Sequence, residues 1–289
     1  MPITLQSATV LLFLITVMFL AGLEVTAQEV LATMRDGGLV IRCLLANILL
    51  MPILAVALTS LFHLPDHIAI GVLLMASAPG VPVLPNIVRA AKGNMAFAVG
   101  LMLDLQVTSL VSTPVTLKLL LPTESAIKVP VLHTIGTLLL FVLLPLAMGM
   151  TVKRLSKPLG DILQKPVRAL SIVGFVGMVL LVMLPHLDVL VGEGGGALST
   201  ILILTVGAWV IGWVLGGPDT GIRKVMVLGT SLRNVGLSVL IATQSFPGTA
   251  VGATVIAYFL IQCIANMLLA KYLSRAIVPT EAGTSTKPH

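Results

Sequence analysis

The sequence predicts an all-α, polytopic membrane protein with about nine transmembrane helices. Of its 289 residues, 57% are hydrophobic and only 10% are charged, whereas a soluble domain carries roughly 25% charged residues. Apolar windows long enough to cross a bilayer recur along the chain, and the mean hydropathy is +1.10. Because backbone amides in lipid must bond within their own segment, we expect these windows to be helices rather than strands.

Hydropathy also predicts where the membrane spans lie. The first window has no basic leader and no clear small-residue cleavage site, so we interpret it as a permanent helix rather than a signal peptide. Cys43 and Cys263 both lie in apolar windows and are interpreted as packed thiols, so no metal site is predicted. The nine windows are residues 7–26, 39–61, 67–91, 95–121, 128–152, 167–187, 197–216, 222–246 and 249–274.

The loops between the windows alternate in charge. By the positive-inside rule, the basic loops and the C-terminus face the cytoplasm, the N-terminus lies outside, and the chain spans the plasma or inner membrane. This topology explains the net charge of +6 without a nucleic-acid partner, and the polar tail at 279–289 is expected to be disordered. The basic loops hold Arg35, Arg89, Lys92, Lys153, Arg154, Lys157, Lys165, Arg168, Arg223, Lys224, Lys271 and Arg275, whereas the other loops hold Lys118 and Lys128.

Two of the windows contain residues that interrupt a helix. The third holds three prolines and a glycine between Pro79 and Pro85, and each proline removes a donor and clashes with the preceding turn. This pattern indicates either a kink or an unwound ligand site. The eighth window favours the ligand site, because it places Gly229, Thr230, Ser231, Arg233, Asn234 and Gly236 at membrane depth. A matched pair of interrupted spans is typical of a transporter built from an inverted repeat.

The order and spacing of several motifs resemble the bile acid:sodium symporter family. The motifs are "VMFLAGLEV", "IAIGVLLMASAPG", "AAKGNMAFAV" and "RNVGLSVLIA". The resemblance implies one transporter unit over residues 1–278, in which two broken helices cross inside a core domain. It assigns residues 7–26 and 128–187 to a panel domain and residues 39–121 and 197–274 to the core. It also implies sodium-coupled uptake of a small organic anion by alternating access.

This chain departs from the family's pattern at most of the sodium-binding positions. The family's serine and asparagine fall on Leu84 and Pro85, although a shift of one residue would let Asn86 serve. The hydroxyls of the next helix fall on Ala98 and Met102, and a glutamate and a glutamine fall on Gly229 and Arg233. Asn234 and Asn47 remain. Most of the oxygen ligands that a sodium ion would need are therefore absent, and no other cofactor is predicted.

A charge in the middle of a membrane helix is costly and needs a partner. We hypothesise that Arg233 pairs with Asp104 and that this pair replaces bound sodium, while the guanidinium also receives a substrate carboxylate. A purely structural pair, or an Arg233 that faces a lumen without Asp104, are the alternatives. The candidate site also includes Thr230, Ser231 and Gln262.

The predicted function is secondary active transport of a small organic anion without a requirement for sodium. The alternatives are a related efflux carrier or exchanger of the same architecture, or a non-transporting channel or sensor. No catalytic serine, histidine and aspartate set, metal-spaced histidines or phosphate loop indicates an enzyme. We expect a monomer or loose oligomer in the lipid bilayer.

Overall fold

The computed structural model describes residues 5–24, 37–120, 131–192 and 194–276. Seven helices in this part of the chain are long and apolar enough to cross a membrane, and the other two predicted spans are interrupted helices. The predicted tail, Arg35 and Lys128 lie outside the described residues. The helices are α1 Leu5–Glu24, α2 Gly37–Leu61, α3 Asp66–Ser77, α4 Leu84–Ala90, α5 Met95–Leu120, α6 (131–155), α7 Lys157–Gly192, α8 Gly194–Leu215, α9 Thr220–Ser231, α10 Val235–Ser245 and α11 Val251–Ala276.

Three of the long helices widen into a π-helical turn two residues before a proline. The widened turns are Leu45–Leu50 in α2, Leu139–Leu143 in α6 and Val179–Met183 in α7, and the prolines are Pro52, Pro145 and Pro185. A proline lacks the N–H that an α-helix needs and its ring clashes with the carbonyl one turn earlier, so a wider turn relieves the conflict. The helices therefore continue across the membrane, but some carbonyls lose their helical donors.

The two broken helices predicted from the sequence meet at their breaks, as the family resemblance implies. Residues 78–83 separate α3 from α4, and residues 232–234 separate α9 from α10. An isolated antiparallel bridge joins Pro79 to Arg233, and the Asn234 N–H donates to the Ala78 carbonyl at 2.9 Å. The second break is shorter than expected because Thr230 and Ser231 still belong to α9. We call this meeting point the crossing.

The other helices pack around the crossing. The helix α1 packs along α6 and α7 and also contacts α10, while α3 packs against α11 and α8 packs against α9. The antiparallel direction of the bridge at the crossing fits an inverted repeat. The internal repeat as a whole and the division into a panel and a core domain stay predictions.

Candidate functional site

The guanidinium of Arg233 lies at the centre of the crossing. Its side chain is fully buried. Its Nη2 donates to the Thr230 carbonyl at 2.6 Å and its Nη1 donates to the Asn47 carbonyl at 3.4 Å. Tyr258 and Cys43 lie close enough to interact with it electrostatically. The cation is therefore held by backbone oxygens of two different helices.

Both of these carbonyls are free because local structure removes their helical donors. The usual donor to Thr230 is the Asn234 N–H, which turns to Ala78 across the crossing. In α2 the Met51 N–H bonds to Ala46 in the widened turn, and the next residue, Pro52, has no N–H to offer Asn47. Since a buried carbonyl without a donor is costly, Arg233 stabilises both chain segments at once.

The predicted ion pair between Arg233 and Asp104 is wrong. Within the described residues, ion pairs join Lys153 to Asp161 and Arg168 to Glu24, and Arg233 takes part in neither. Asp104 is half-buried on α5, and its Oδ2 has no hydrogen-bond partner there. It lies near Cys43 rather than against the guanidinium. Two nitrogens of the guanidinium bind the freed carbonyls instead, and its Nε has no partner among the described residues.

Ser231, one of the predicted site residues of the eighth span, joins a polar network with α11. Gln262 Nε2 donates to the Ser231 carbonyl at 2.7 Å, and the Ser231 hydroxyl donates to Asn266 Oδ1. Asn266 also accepts from Trp209 Nε1 at 3.0 Å. The Thr230 hydroxyl is buried and unpartnered in the described part of the chain. Gln262 thus supplies a hydrogen bond to the Ser231 carbonyl, which the break leaves without a helical donor.

Asn234 begins α10, the half-helix that follows the break. Its Oδ1 accepts the Leu237 N–H at 3.1 Å, which is the bond of an N-terminal capping residue. The side chain of Asn47 donates to the Cys43 carbonyl at 3.0 Å, while its own side-chain oxygen has no described partner. The structure therefore brings Asn47, Thr230, Ser231, Asn234 and Gln262 to the crossing and leaves Asp104 beside it.

A side chain also donates to a backbone carbonyl at the first break, as Gln262 does at the second, and the sequence did not predict this contact. Thr113 Oγ1 on α5 donates to the Ser77 carbonyl at 2.7 Å, and both residues are buried. We expect Thr113→Val to lower the free energy of unfolding by about 1–3 kcal/mol, because an isosteric side chain leaves that carbonyl unpaired. Thr151→Val is the matched control, since Thr151 is exposed and bonds within its own helix. Equal melting temperatures for the two variants in detergent would contradict this role of Thr113.

A cavity of about 290 Å³ opens beside the crossing. We call it the crossing cavity. Its walls are mostly apolar and include three aromatic rings, and its polar side chains come from α4, from the second break and from α7. The lining residues are Phe13, Val17, Val81, Pro82, Val83, Asn86, Arg168, Ser171, Ile172, Phe175, Asn234, Val235, Gly236 and Phe259. The predicted site residue Asn86 is exposed and lies here with Asn234, not at the guanidinium.

A second cavity, of about 360 Å³, adjoins the first and shares Pro82 and Arg168 with it. It lies at the ends of the helices that carry Glu24, Arg89, Lys153 and Gln164, and we call it the basic vestibule. The sequence analysis used the basic residues of this cavity only to predict the membrane topology. Nothing in the linear pattern separated Arg168 from the other loop cations, because its role depends on which helices pack beside it.

A third cavity, of about 580 Å³, lies at the opposite end of α1 and includes Gln6, His186 and Gln244 in its lining. We call it the distal cavity. Cavities thus lie towards both ends of the helices, with the crossing between them. In a helical membrane protein, broken helices at such a position form the binding sites of carriers.

Apolar spanning helices packed around two crossing broken helices, with cavities towards both ends, define a polytopic membrane transporter. The chain belongs to the sodium bile acid symporter family, whose family model matches residues 11–192. It is 28% identical to a Bacillus subtilis (strain 168) protein described as the uncharacterized sodium-dependent transporter YocS, over 97% of this chain and 87% of that protein. It is 26% identical to a probable chloroplastic sodium/metabolite cotransporter of Arabidopsis thaliana, over 71% of this chain and 52% of that protein. The bile acid:sodium symporter resemblance is confirmed.

Several residues at the crossing offer no free oxygen to a sodium ion, although Asn47 Oδ1, Thr230 Oγ1 and Gln262 Oε1 are buried without a hydrogen-bond partner in the described residues. Leu84 is a buried hydrocarbon side chain and Pro85 a buried ring, so neither offers a side-chain oxygen. Two backbone oxygens that a cation could use accept from Arg233 instead. Asn234 Oδ1 is engaged in capping α10. A second cation beside a buried guanidinium would also be repelled strongly, because the surrounding dielectric is low.

Proposed function

We propose that this transporter is a secondary carrier of small organic anions that moves its substrate by alternating access without bound sodium. It is a carrier rather than an enzyme. The basic vestibule faces the cytoplasm and the distal cavity faces outside, in accordance with the positive-inside rule. Movement of α1, α6 and α7 against the crossing would expose the substrate to one side and then to the other.

The observation that carries this proposal is the position of the Arg233 guanidinium. It is fully buried, binds the carbonyls of Thr230 and Asn47, and has no carboxylate partner in the described part of the chain. A tethered cation that neutralises backbone dipoles supplies the positive charge that a sodium ion would bring. Since this cation cannot leave the protein, the substrate site would stay assembled at every sodium concentration.

Transport assays in proteoliposomes test the proposal directly. Uptake of radiolabelled organic acids should saturate, show counterflow and have the same initial rate in sodium as in potassium. A channel would show flux that does not saturate and no counterflow. A strong increase of uptake with a sodium gradient would contradict a fixed cation at the crossing.

Restoring the family's two residues should create sodium dependence. We expect the double variant Gly229→Glu with Arg233→Gln to gain uptake that rises with sodium, because it returns oxygen ligands to the positions that the resemblance assigns to them. Space for the new side chain must come from Leu101 and Leu84, whose methyl groups lie 3.0 and 3.4 Å from a Cβ built on Gly229. The measurement is the initial rate of uptake against sodium concentration.

The matched control is Gly229→Glu alone. It keeps Arg233, so the new carboxylate would pair with the guanidinium and uptake should remain independent of sodium. A double variant that is folded and active but whose uptake is still independent of sodium would contradict the proposal that Arg233 takes the place of a sodium ion.

Sodium-coupled transport is the second candidate. The names of both relatives include sodium, and the oxygens Asn47 Oδ1, Thr230 Oγ1 and Gln262 Oε1 are buried without a hydrogen-bond partner in the described residues. These oxygens favour a further polar ligand near the crossing. Wild-type uptake that rises steeply with sodium would select this candidate.

A further inference from the structure

Arg168 is the charged side chain of the crossing cavity. Among the described residues that line this cavity, the others are apolar or neutral, and Arg168 also lines the basic vestibule. It therefore lies where an apolar chamber meets a charged one. A molecule that filled the crossing cavity with hydrocarbon and ended in an anion would place the anion against this guanidinium.

The apolar part of the crossing cavity favours a compact ring or branched hydrocarbon. Phe175 lies between Phe13 and Phe259, with ring centroids 5.5 and 5.8 Å apart, respectively. Rings at these distances form tilted or edge-on pairs, and an aromatic guest could extend the same arrangement. The volume of about 290 Å³ is at the lower end of the usual size for small-molecule sites. A small acid therefore fits this chamber better than a large one.

Arg168 has donors available for such an anion. Its Nη2 donates to Glu24 Oε1 at 2.7 Å, and its side chain is 53% exposed. No other hydrogen bond of Arg168 is formed with the described residues, so most of its five N–H donors are available to a ligand. A guanidinium can bind two carboxylates or exchange one for another, because its planar fork matches the carboxylate geometry.

The vestibule around this pair carries an excess of positive charge. Arg89, Lys153 and Arg168 face it together with Glu24, the one acidic residue of its lining. This balance attracts anions towards the cavity and disfavours cations. A zwitterion could use Glu24 and Arg168 together, but it would leave Arg89 without a counter-charge, whereas Lys153 is already paired with Asp161.

We propose that Arg168 is the residue that selects the substrate's charge, and that the substrate is a compact monocarboxylate with an aromatic or branched body. Its carboxylate binds Arg168 in exchange for part of the contact with Glu24, and its hydrocarbon body lies in the crossing cavity against Phe13, Phe175 and Phe259. This assignment rests on the proposed anion carrier. It adds a specificity-determining residue outside the crossing and a defined chemical class.

The test measures binding and uptake of phenylacetate by the purified full-length chain. We expect Arg168→Gln to raise the dissociation constant roughly ten- to a hundredfold, the effect of losing a charge-assisted hydrogen bond. The neutral analogue phenylacetamide should bind more weakly than phenylacetate to the wild type but equally to wild type and Arg168→Gln. Arg154→Gln is the matched control, because Arg154 is exposed and lies outside the lining of both cavities.

A second variant keeps the test decisive if Arg168→Gln does not fold. Glu24→Gln removes the competing carboxylate but keeps the cation, so it should tighten phenylacetate binding and lower the KM for uptake. A steric or purely structural role of the pair would instead weaken binding in both variants.

The outcomes separate this inference from the proposed function. Wild-type uptake of phenylacetate that is unchanged in Arg168→Gln and Glu24→Gln would overturn the role of Arg168 while leaving an anion carrier intact. Wild-type preference for a zwitterion such as phenylalanine would overturn the substrate class. Absence of saturable uptake of any acid by a folded wild type would overturn the proposed function itself.

Discussion

Gly80→Ala is expected to leave little folded protein in the membrane. Gly80 lies in the first break with a φ of +86°, and an added Cβ would lie 2.7 Å from the Gln106 nitrogen and 2.9 Å from the Leu105 carbonyl carbon. A left-handed backbone costs a non-glycine residue roughly 1–2 kcal/mol, and overpacking against a rigid backbone adds about 1–3 kcal/mol. The break cannot move aside without losing its bridge to the second broken helix.

The measurement is the melting temperature of the detergent-purified variant, together with its yield from membranes. Gly248→Ala is the matched control, because Gly248 has a similar φ of +74° but open space around an added Cβ. Gly248→Ala should lower the free energy of unfolding only by the cost of a left-handed backbone at a non-glycine residue. If the two alanine variants had the same melting temperature, close contact between the first break and α5 would not explain the loss of stability in Gly80→Ala.

Gly149→Ala should separate α1 from α6 and lower the stability of the whole bundle. A Cβ on Gly149 would overlap the Phe19 carbonyl oxygen, and a Cβ on Gly22 of the facing helix would overlap the Leu146 carbonyl oxygen. The two glycines thus let the backbones of α1 and α6 approach closely, as small residues do in membrane helix pairs. We expect a loss of about 1–3 kcal/mol or more, because the obstacle is backbone rather than a flexible side chain.

Thermal unfolding in detergent measures this loss, and Gly136→Ala on α6 provides the control. An added Cβ on Gly136 meets nothing within 4 Å, and alanine is the better helix former by about 1 kcal/mol. The control should therefore be neutral or slightly stabilising. A Gly149→Ala variant as stable as Gly136→Ala would refute close packing of the two helices.

The helices and their interruptions could be predicted because they follow from local rules. Twenty apolar residues in lipid must form a helix, and three prolines around Gly80 cannot continue one. The long helix that ends at Gly192 shows the limit of the same signal. The sequence predicted its start at residue 167, whereas α7 begins at Lys157, because the more polar residues 157–166 fall outside the hydropathy window but can still be helical.

Most of the candidate site was predictable for a related reason. Polar residues at membrane depth are costly, so Asn47, Thr230, Ser231, Asn234 and Gln262 were expected to lie inside the protein, and the structure places them at the crossing. Their individual partners were not predictable. Gln262 and Thr113 donate hydrogen bonds to backbone carbonyls. These carbonyls lack helical donors only because the two helices are interrupted where they cross.

The sequence by itself determined that this chain is a bundle of membrane helices with two breaks and a buried arginine, since composition and proline positions act over a few neighbouring residues. Tertiary structure alone decided what Arg233 binds. Its true partners are the carbonyls of Thr230 and Asn47, which are freed by a remote hydrogen bond and by a widened turn. It also decided that Arg168, one of many loop cations in the sequence, faces the aromatic cavity. Rotation of each helix about its axis sets these contacts, and that rotation depends on packing with helices far away in the chain.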